Sequence, residues 1–157
     1  MKLFETSVDI KESIEKVWEN TSLPQMGINL EIISTSKAKQ ILKVQRANAT
    51  TNFLTKNDII ITVFEEAFDR LSDDFQDKLV EGCLSSVSYD TEKDKLNVEG
   101  DIAKELFRMR KKYENYVDMM ETSYAVIEQI EEEEKQKKEE EKMRKAAEKA
   151  AKKKNKG

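Results

Sequence analysis

The C-terminal segment of the chain has almost nothing to place in a hydrophobic core. Residues 131 to 157 read EEEEKQKKEEEKMRKAAEKAAKKKNKG, and Met143 is their only large apolar side chain. Glutamate precedes a basic residue by four positions six times in this segment, and each such pair adds roughly 0.2–0.5 kcal/mol to helix stability. Alanine, glutamate and lysine also favour a helix. We therefore predict a solvated helix here, and a core built from the residues before it.

Charge is distributed unevenly along the chain. Lys142 to Gly157 contain eight Lys or Arg and one Glu, a net charge of +7. Because the whole chain carries −4, residues 1 to 141 carry −11. The pattern indicates an acidic body with a basic tip.

The basic tip has two interpretations that the sequence leaves open. Its lysines could contact the phosphates of nucleic acid through counterion release. Such binding would be nonspecific, because no aromatic side chain is present to stack on bases. Alternatively, the positive charge only compensates the helix macrodipole and aids solubility. The candidate phosphate-binding residues are Lys149, Lys152, Lys153 and Lys154.

An apolar stripe at spacings of three and four precedes the charged segment. It begins at Ile102 and stops at Ile130, which predicts an amphipathic helix over residues 101–130 that continues through 131–157. A stripe of this length is long for a small domain to cover. We expect its first half to pack on the body and its second half to form a surface for a protein partner or a second copy. The candidate partner-binding residues are Tyr113, Tyr116, Met120, Tyr124, Ile127 and Ile130.

Residues 1–100 predict a compact acidic domain of mixed secondary structure. Ile10, Ile14 and Trp18 mark one face of a helix over about Val8 to Asn20. INLEII and QILKVQRA read as strands, and DIIITVF is apolar enough to predict the central strand. Two short helices follow, the second with Ser72 or Asp73 as its cap. The predicted fold class is α+β: a small, mostly antiparallel sheet packed by two or three helices, with a long projecting C-terminal helix.

The stretch SYDTEKDKLNVEGD, residues 88–101, has the outline of a calcium-binding loop. Asp90, Glu92 and Asp94 occupy its first, third and fifth positions. However, Lys95 stands where such a loop needs glycine, and Asp101 where it needs glutamate. SVSY and KLNV flank a polar turn, so we predict a β-hairpin without a metal, followed by a helix that Asp101 caps.

The residues available for catalysis are few. The absence of histidine excludes histidine-based triads and the HExxH zinc site. The single cysteine, Cys83, lies on an apolar helix face and predicts a buried small hydrophobe rather than a nucleophile. We expect no enzyme activity, no cofactor and no small-molecule substrate. In a chain with 32 acidic residues, some carboxylates must lie close together in sequence. We therefore interpret one such group as a solvated helix face: Glu65, Glu66, Asp69, Asp73 and Asp74.

The middle of the chain, about Gln40 to Glu99, has a family resemblance. An apolar strand, EEAFD, a short helix, SYD and EKDK follow one another in this order. They lie within the blocks LKVQRAN and FLTKNDIIITVFEEAFDRLSDDFQDKLVEGCLSSVSYDTEKDKL. This order resembles small bacteriophage proteins of unknown function or of a metallopeptidase-like family. The resemblance implies a phage protein. A metallopeptidase of this kind needs histidines on the helix after the central strand, where this chain reads FEEAFDRL, so no functional residue carries over.

These features predict a non-catalytic, phage-encoded accessory protein that engages a protein partner or a second copy through its long C-terminal helix. Two alternatives stay open: a virion structural component with the helix as a strut, and a nucleic-acid-associated protein that uses the basic tip. No apolar run approaches the roughly 20 residues of a membrane span, so we expect no membrane contact. The expected location is the host-cell cytoplasm, with the virion as the alternative.

Overall fold

The computed structural model describes residues 2–155 and confirms the predicted α+β fold with a long C-terminal helix. Within that range the strands and helices follow one another in this order: β1 (Leu3–Glu5), α1 (Val8–Glu19), β2 (Leu30–Thr35), β3 (Leu42–Arg46), α2 (Ala49–Thr55), β4 (Ile59–Phe64), α3 (Glu65–Asp69), α4 (Asp73–Leu84), β5 (Val87–Asp90), β6 (Lys95–Val98), α5 (Ile102–Lys112) and α6 (Tyr116–Asn155).

Four of the strands form one sheet in the order β1, β2, β4, β3. β4 lies inside this sheet, antiparallel to β3 and parallel to β2, which confirms the central position predicted for DIIITVF. The β2–β4 pair is the parallel exception in sheets that are otherwise antiparallel. Alternate side chains of β4, Ile59, Ile61 and Val63, are fully buried because they share the core face of the sheet. The edge strand β1 had no signal in the sequence.

Helices α1 and α4 pack against each other, and α4 also contacts β3. α1 buries Ile10, Ile14 and Trp18, as their spacing predicts. α4 begins where expected, because the Ser72 hydroxyl accepts a hydrogen bond from the backbone N–H of Phe75 at 3.3 Å. The core therefore lies between the sheet and these helices.

The residues 88–101 form the predicted hairpin. β5 and β6 are antiparallel, with Asp90 opposite Lys95. The Asp90 carboxylate accepts hydrogen bonds from the backbone N–H groups of Glu92 at 3.0 Å and Lys93 at 3.2 Å, and Asp94 adopts a left-handed φ of 49°. Asp90 thus holds the turn itself, in the way that aspartate commonly does.

The structure divides the predicted continuous C-terminal helix into two. Asp101 caps α5 as expected, accepting from the backbone N–H of Ala103 at 2.9 Å. α5 then ends at Lys112, Tyr113 is extended (φ −130°, ψ 109°), and α6 begins at Tyr116. Apolar spacing could not indicate this break, because Tyr113 and Tyr116 both fit the stripe. At this break between α5 and α6, both tyrosines contact α4.

Candidate functional site

The inner segment of α6, Tyr116–Ile130, belongs to the core of the protein. Tyr116, Met120, Ile127 and Ile130 are buried against the rest of the chain. Tyr113 is half-buried, and Tyr124 is 37% exposed. Most of the expected partner surface is therefore not free, because the body buries four of the six candidate residues in the second half of the stripe. A partner would have to displace α6 to reach four of the six candidate residues.

The turn between α5 and α6 is attached to α4 through Glu81. The Glu81 carboxylate accepts a hydrogen bond from the Tyr113 hydroxyl at 2.6 Å and forms an ion pair with Lys112. Burial opposes ionisation of Glu81, but these two hydrogen bonds outweigh it and lower the pKa of the carboxyl. The ammonium of Lys78 also lies 4.9 Å from the centre of the Tyr113 ring. These contacts attach the turn before α6 to α4.

Tyr116 packs directly onto the backbone of α4 at Gly82. A Cβ at Gly82 would lie 1.9 Å from the Tyr116 hydroxyl oxygen and 3.1 Å from Glu105 Oε1. The residue at this position must therefore be glycine for the ring to sit there. The Tyr116 hydroxyl is buried without a hydrogen-bond partner among the described residues, as is Nη2 of Arg108.

Glu105 and Cys83 complete this buried polar cluster. Burial raises the pKa of the Glu105 carboxyl, and the Arg108 guanidinium opposes that effect only in part. Burial, and then the Glu105 carboxylate, raises the pKa of the Cys83 thiol. A thiol held protonated is a poor nucleophile, and Cys83 is buried in the core as predicted.

The cavities beside Glu105 are small. Two of them, of about 170 and 40 Å3, share Gln40, Leu42, Cys83, Ile102 and Glu105 in their walls. Sites for small molecules usually enclose roughly 300–1,000 Å3. The cluster is therefore better suited to holding helices together than to binding a substrate.

A larger cleft of about 890 Å3 lies between α2 and the β5–β6 hairpin. Phe53, 73% exposed, stands at its wall with Tyr89 and Leu96. Two of its polar groups already serve the fold: Asp58 accepts from the backbone N–H of Asn29 at 2.8 Å, and Arg46 donates to the carbonyl of Leu96 at 3.4 Å. Sequence reasoning missed this cleft, because no motif marks it; exposed apolar residues in a short helix were the available signal.

The carboxylates of α3 and α4 do not converge on a common centre. Glu66 pairs with Arg70 at 3.4 Å and Asp74 with Lys78 at 2.9 Å. Burial raises the pKa of the Asp69 carboxyl, and the negative charges of Glu65 and Asp9 raise it further. Within residues 2–155, no group of three acidic, cysteine or histidine side chains is arranged to hold a metal ion.

The outer segment of α6, Lys135–Asn155, is exposed at every residue. Among the described residues, the last side-chain hydrogen bond between α6 and the body precedes this segment: the Glu133 carboxylate accepts from the Arg70 guanidinium at 2.7 and 3.2 Å. Lys135 and Lys138 still face residues 37–39 across an open cleft of about 590 Å3, and the described residues after Lys138 are exposed, as the sequence predicts. All four candidate phosphate-binding residues, Lys149, Lys152, Lys153 and Lys154, lie on this exposed segment.

No protein-family model, curated protein or solved structure matches the chain. The resemblance to bacteriophage proteins therefore stays a prediction, as do the strut role in a virion and the host-cell location. In the part of the chain that the structure describes, no helix is long and apolar enough to cross a bilayer.

Proposed function

We propose that this protein is a non-catalytic, phage-encoded accessory protein that presents the outer segment of α6 to a partner. The observation that carries the proposal is the division of α6. Its inner segment is buried in the body, and its outer segment is exposed throughout. At 1.5 Å per residue, the outer segment extends about 31 Å. Contact there costs no unfolding of the body, because nothing in the core depends on it.

Two contacts that hold α6 on the body support this proposal. The Arg70–Glu133 contact ties α6 to α3 near the point where exposure begins. The Glu81 contacts with Lys112 and Tyr113 tie the other end of the inner segment to α4. A helix held at two separated points has a defined direction, so the body sets the direction of the outer segment.

The partner is another protein or a second copy of the chain. The outer segment lacks a large apolar surface, so recognition would rest on charge, which speeds encounter and selects partners more than it adds affinity. The acidic body could meet the basic tip of another copy in the same way.

The test compares the full chain with a variant that ends at Glu134, which keeps the buried inner segment and the Arg70–Glu133 contact. We expect the two proteins to unfold at similar temperatures. The full chain should form a larger species in light scattering, or capture a partner that cross-links to Lys149, Lys152 or Lys153. Identical size and identical captured partners for both proteins would refute the proposal.

A further inference from the structure

Among residues 142–155, five lysines form one row along α6, and Lys135 and Lys138 fall within the same arc nearer the body. With 3.6 residues per turn, Lys142, Lys145, Lys149, Lys152 and Lys153 fall within an arc of about 100° around the helix axis. All five are exposed. Their Cα atoms span about 17 Å along the axis at 1.5 Å per residue. Lys154 is exposed too but lies on another side of the helix.

Only one lysine of this row is engaged by a carboxylate among the described residues. Lys145 pairs with Glu141 at 3.2 Å, where both side chains are more than half exposed. Glu141 and Glu148 border one side of the row. An exposed pair of this kind is worth little and exchanges readily for another anion. Four or five ammonium groups are therefore available to an external partner.

The acidic body is too distant to cancel the charge of this row. Starting from Glu133, the helical rise places Lys142 about 14 Å and Lys153 about 30 Å farther along the axis. Interactions between exposed charges are largely screened beyond about 8 Å at physiological ionic strength. An anion at the row thus meets the local lysines and the glutamates beside them, among them Glu141 and Glu148, rather than the negative charge of the folded body.

We infer that this lysine row binds the phosphate backbone of double-stranded nucleic acid without reading its sequence. The inference goes beyond the proposed function: it assigns the same exposed segment a nucleic-acid partner in addition to the protein partner proposed above, and the two are tested separately. A duplex carries one negative charge per roughly 1.7 Å of its axis, so a 17 Å row faces about ten phosphate charges. A straight row of flexible ammonium groups suits such a line of charge. Reading a sequence of different bases uses several kinds of side chain, such as Asn or Gln for adenine and Glu or Asp for cytosine, whereas the row contains only lysine.

Other anionic partners fit the outer segment less well. Single-stranded nucleic acid is held through aromatic stacking, and residues 131–157 contain no aromatic side chain. An interfacial membrane helix inserts large apolar residues, whereas the side next to the row offers Met143 and alanines. Tight protein interfaces are anchored by Trp, Tyr or Arg in pockets. The row has none of these.

The test measures binding of the full chain to a labelled 20-base-pair duplex by fluorescence anisotropy while salt is varied. Each phosphate contact contributes about −0.9 to the slope of log K against log salt. Four or five contacts predict a slope of about −3.6 to −4.5, which is about a 150- to 500-fold loss of affinity between 50 and 200 mM salt. Lys149→Gln alone should reduce the slope by about one.

The decisive variant replaces all five lysines of the row with glutamine, which also favours a helix. Its matched control makes the same five-charge change on the body, at the exposed residues Lys11, Lys16, Lys43, Lys93 and Lys95. Loss of duplex binding in the row variant, with binding retained in the control, supports the inference. Circular dichroism checks that both variants keep their helix content.

Three outcomes overturn the inference. The duplex fails to bind at 50 mM salt, or both five-lysine variants bind it equally. In the third, phosphatidylserine vesicles, poly-glutamate or single-stranded DNA bind the full chain as tightly as the duplex does. The broader proposal survives any of these if removal of residues 135–157 still changes the oligomeric state or the captured partner. It fails only if that truncation changes nothing.

Discussion

The inner and outer segments of α6 share one helix but are kept helical by different physics. In the inner segment, Tyr116, Ile127 and Ile130 are buried, and the helix persists because packing covers its apolar side. In the outer segment nothing is covered, and helicity rests on residue propensity and charge pairs such as Glu141–Lys145. A continuous helix can therefore contribute to folding along its inner segment and contribute nothing along its outer segment.

The largest expected difference between the segments is in the cost of removing an apolar side chain. Ile130→Ala should lower the free energy of unfolding by about 2–5 kcal/mol, because it leaves a cavity in the core. Met143→Ala, at an exposed position of the outer segment, should change it by less than about 0.5 kcal/mol. Urea unfolding of both variants measures this contrast. Similar costs would mean that the outer segment is also covered.

A second substitution tests how closely the inner segment packs on α4. Alanine within a helix is usually more favourable than glycine by roughly 1 kcal/mol. Gly82→Ala should instead destabilise by about 1–3 kcal/mol, because its Cβ would overlap the Tyr116 hydroxyl at 1.9 Å. Thermal or urea unfolding gives the sign.

Two controls separate this overlap from a general effect of alanine. Gly100→Ala meets no atom within 4 Å, so it should be close to neutral. Tyr116→Phe in the Gly82→Ala background should recover part of the loss, since the hydroxyl goes but the ring carbon Cζ remains 2.8 Å from the new Cβ. A stabilising Gly82→Ala would show that Tyr116 does not lie on α4.

The third prediction concerns pH at the base of the inner segment. Because the pKa of Glu105 is raised on folding, its contribution to stability is complete below the unfolded value of about 4.5 and is lost as pH rises through the folded value. Glu105→Gln cannot ionise. It should match the parent near pH 4 and become more stable than the parent as pH increases to 7.

The measurement is the free energy of unfolding of both proteins from pH 4 to 7. Glu128→Gln removes the same charge from an exposed position of the inner segment and serves as the control. Glu81, whose pKa is lowered, loses its contribution as pH falls, but it is common to all variants and cancels in the difference. A pH-independent difference between Glu105→Gln and the parent would contradict the account.

The sequence predicted what depends on composition and local spacing. The exposure of the outer segment follows from its lack of apolar residues, and the central position of β4 from its unbroken apolar run. The caps Ser72 and Asp101 follow from local side-chain chemistry. Each of these signals lies within a few residues of the structure it determines.

The missed features depend on contacts between distant parts of the chain. Spacing showed that residues 102–130 have an apolar stripe, but not that the body buries most of its second half as well. The break at Tyr113 is accompanied by a hydrogen bond to Glu81, 32 residues away. The cleft beside Phe53 requires α2 and the hairpin to stand opposite each other. Such relations need the tertiary arrangement.

The smallest effect is expected at the boundary between the two segments. Arg70 holds Glu133 through two hydrogen bonds, and this contact lowers the pKa of the carboxyl, chiefly through the hydrogen bond. Both side chains are partly open to solvent, so screening keeps their coupling weak. A double-mutant cycle with Arg70→Met and Glu133→Gln should give a favourable coupling below each of the preceding effects.

Amide hydrogen exchange measures which residues of α6 the Arg70–Glu133 contact protects. In Arg70→Met, amides of residues 131–134 should exchange faster, while those of the outer segment, which frays without cover, should already exchange rapidly in the parent. Amides up to Ile130 should keep their protection because packing holds them. If residues 131–134 exchange equally in both proteins, the burial of Ile130 alone sets the boundary, and the direction of the outer segment is controlled one turn earlier than Glu133.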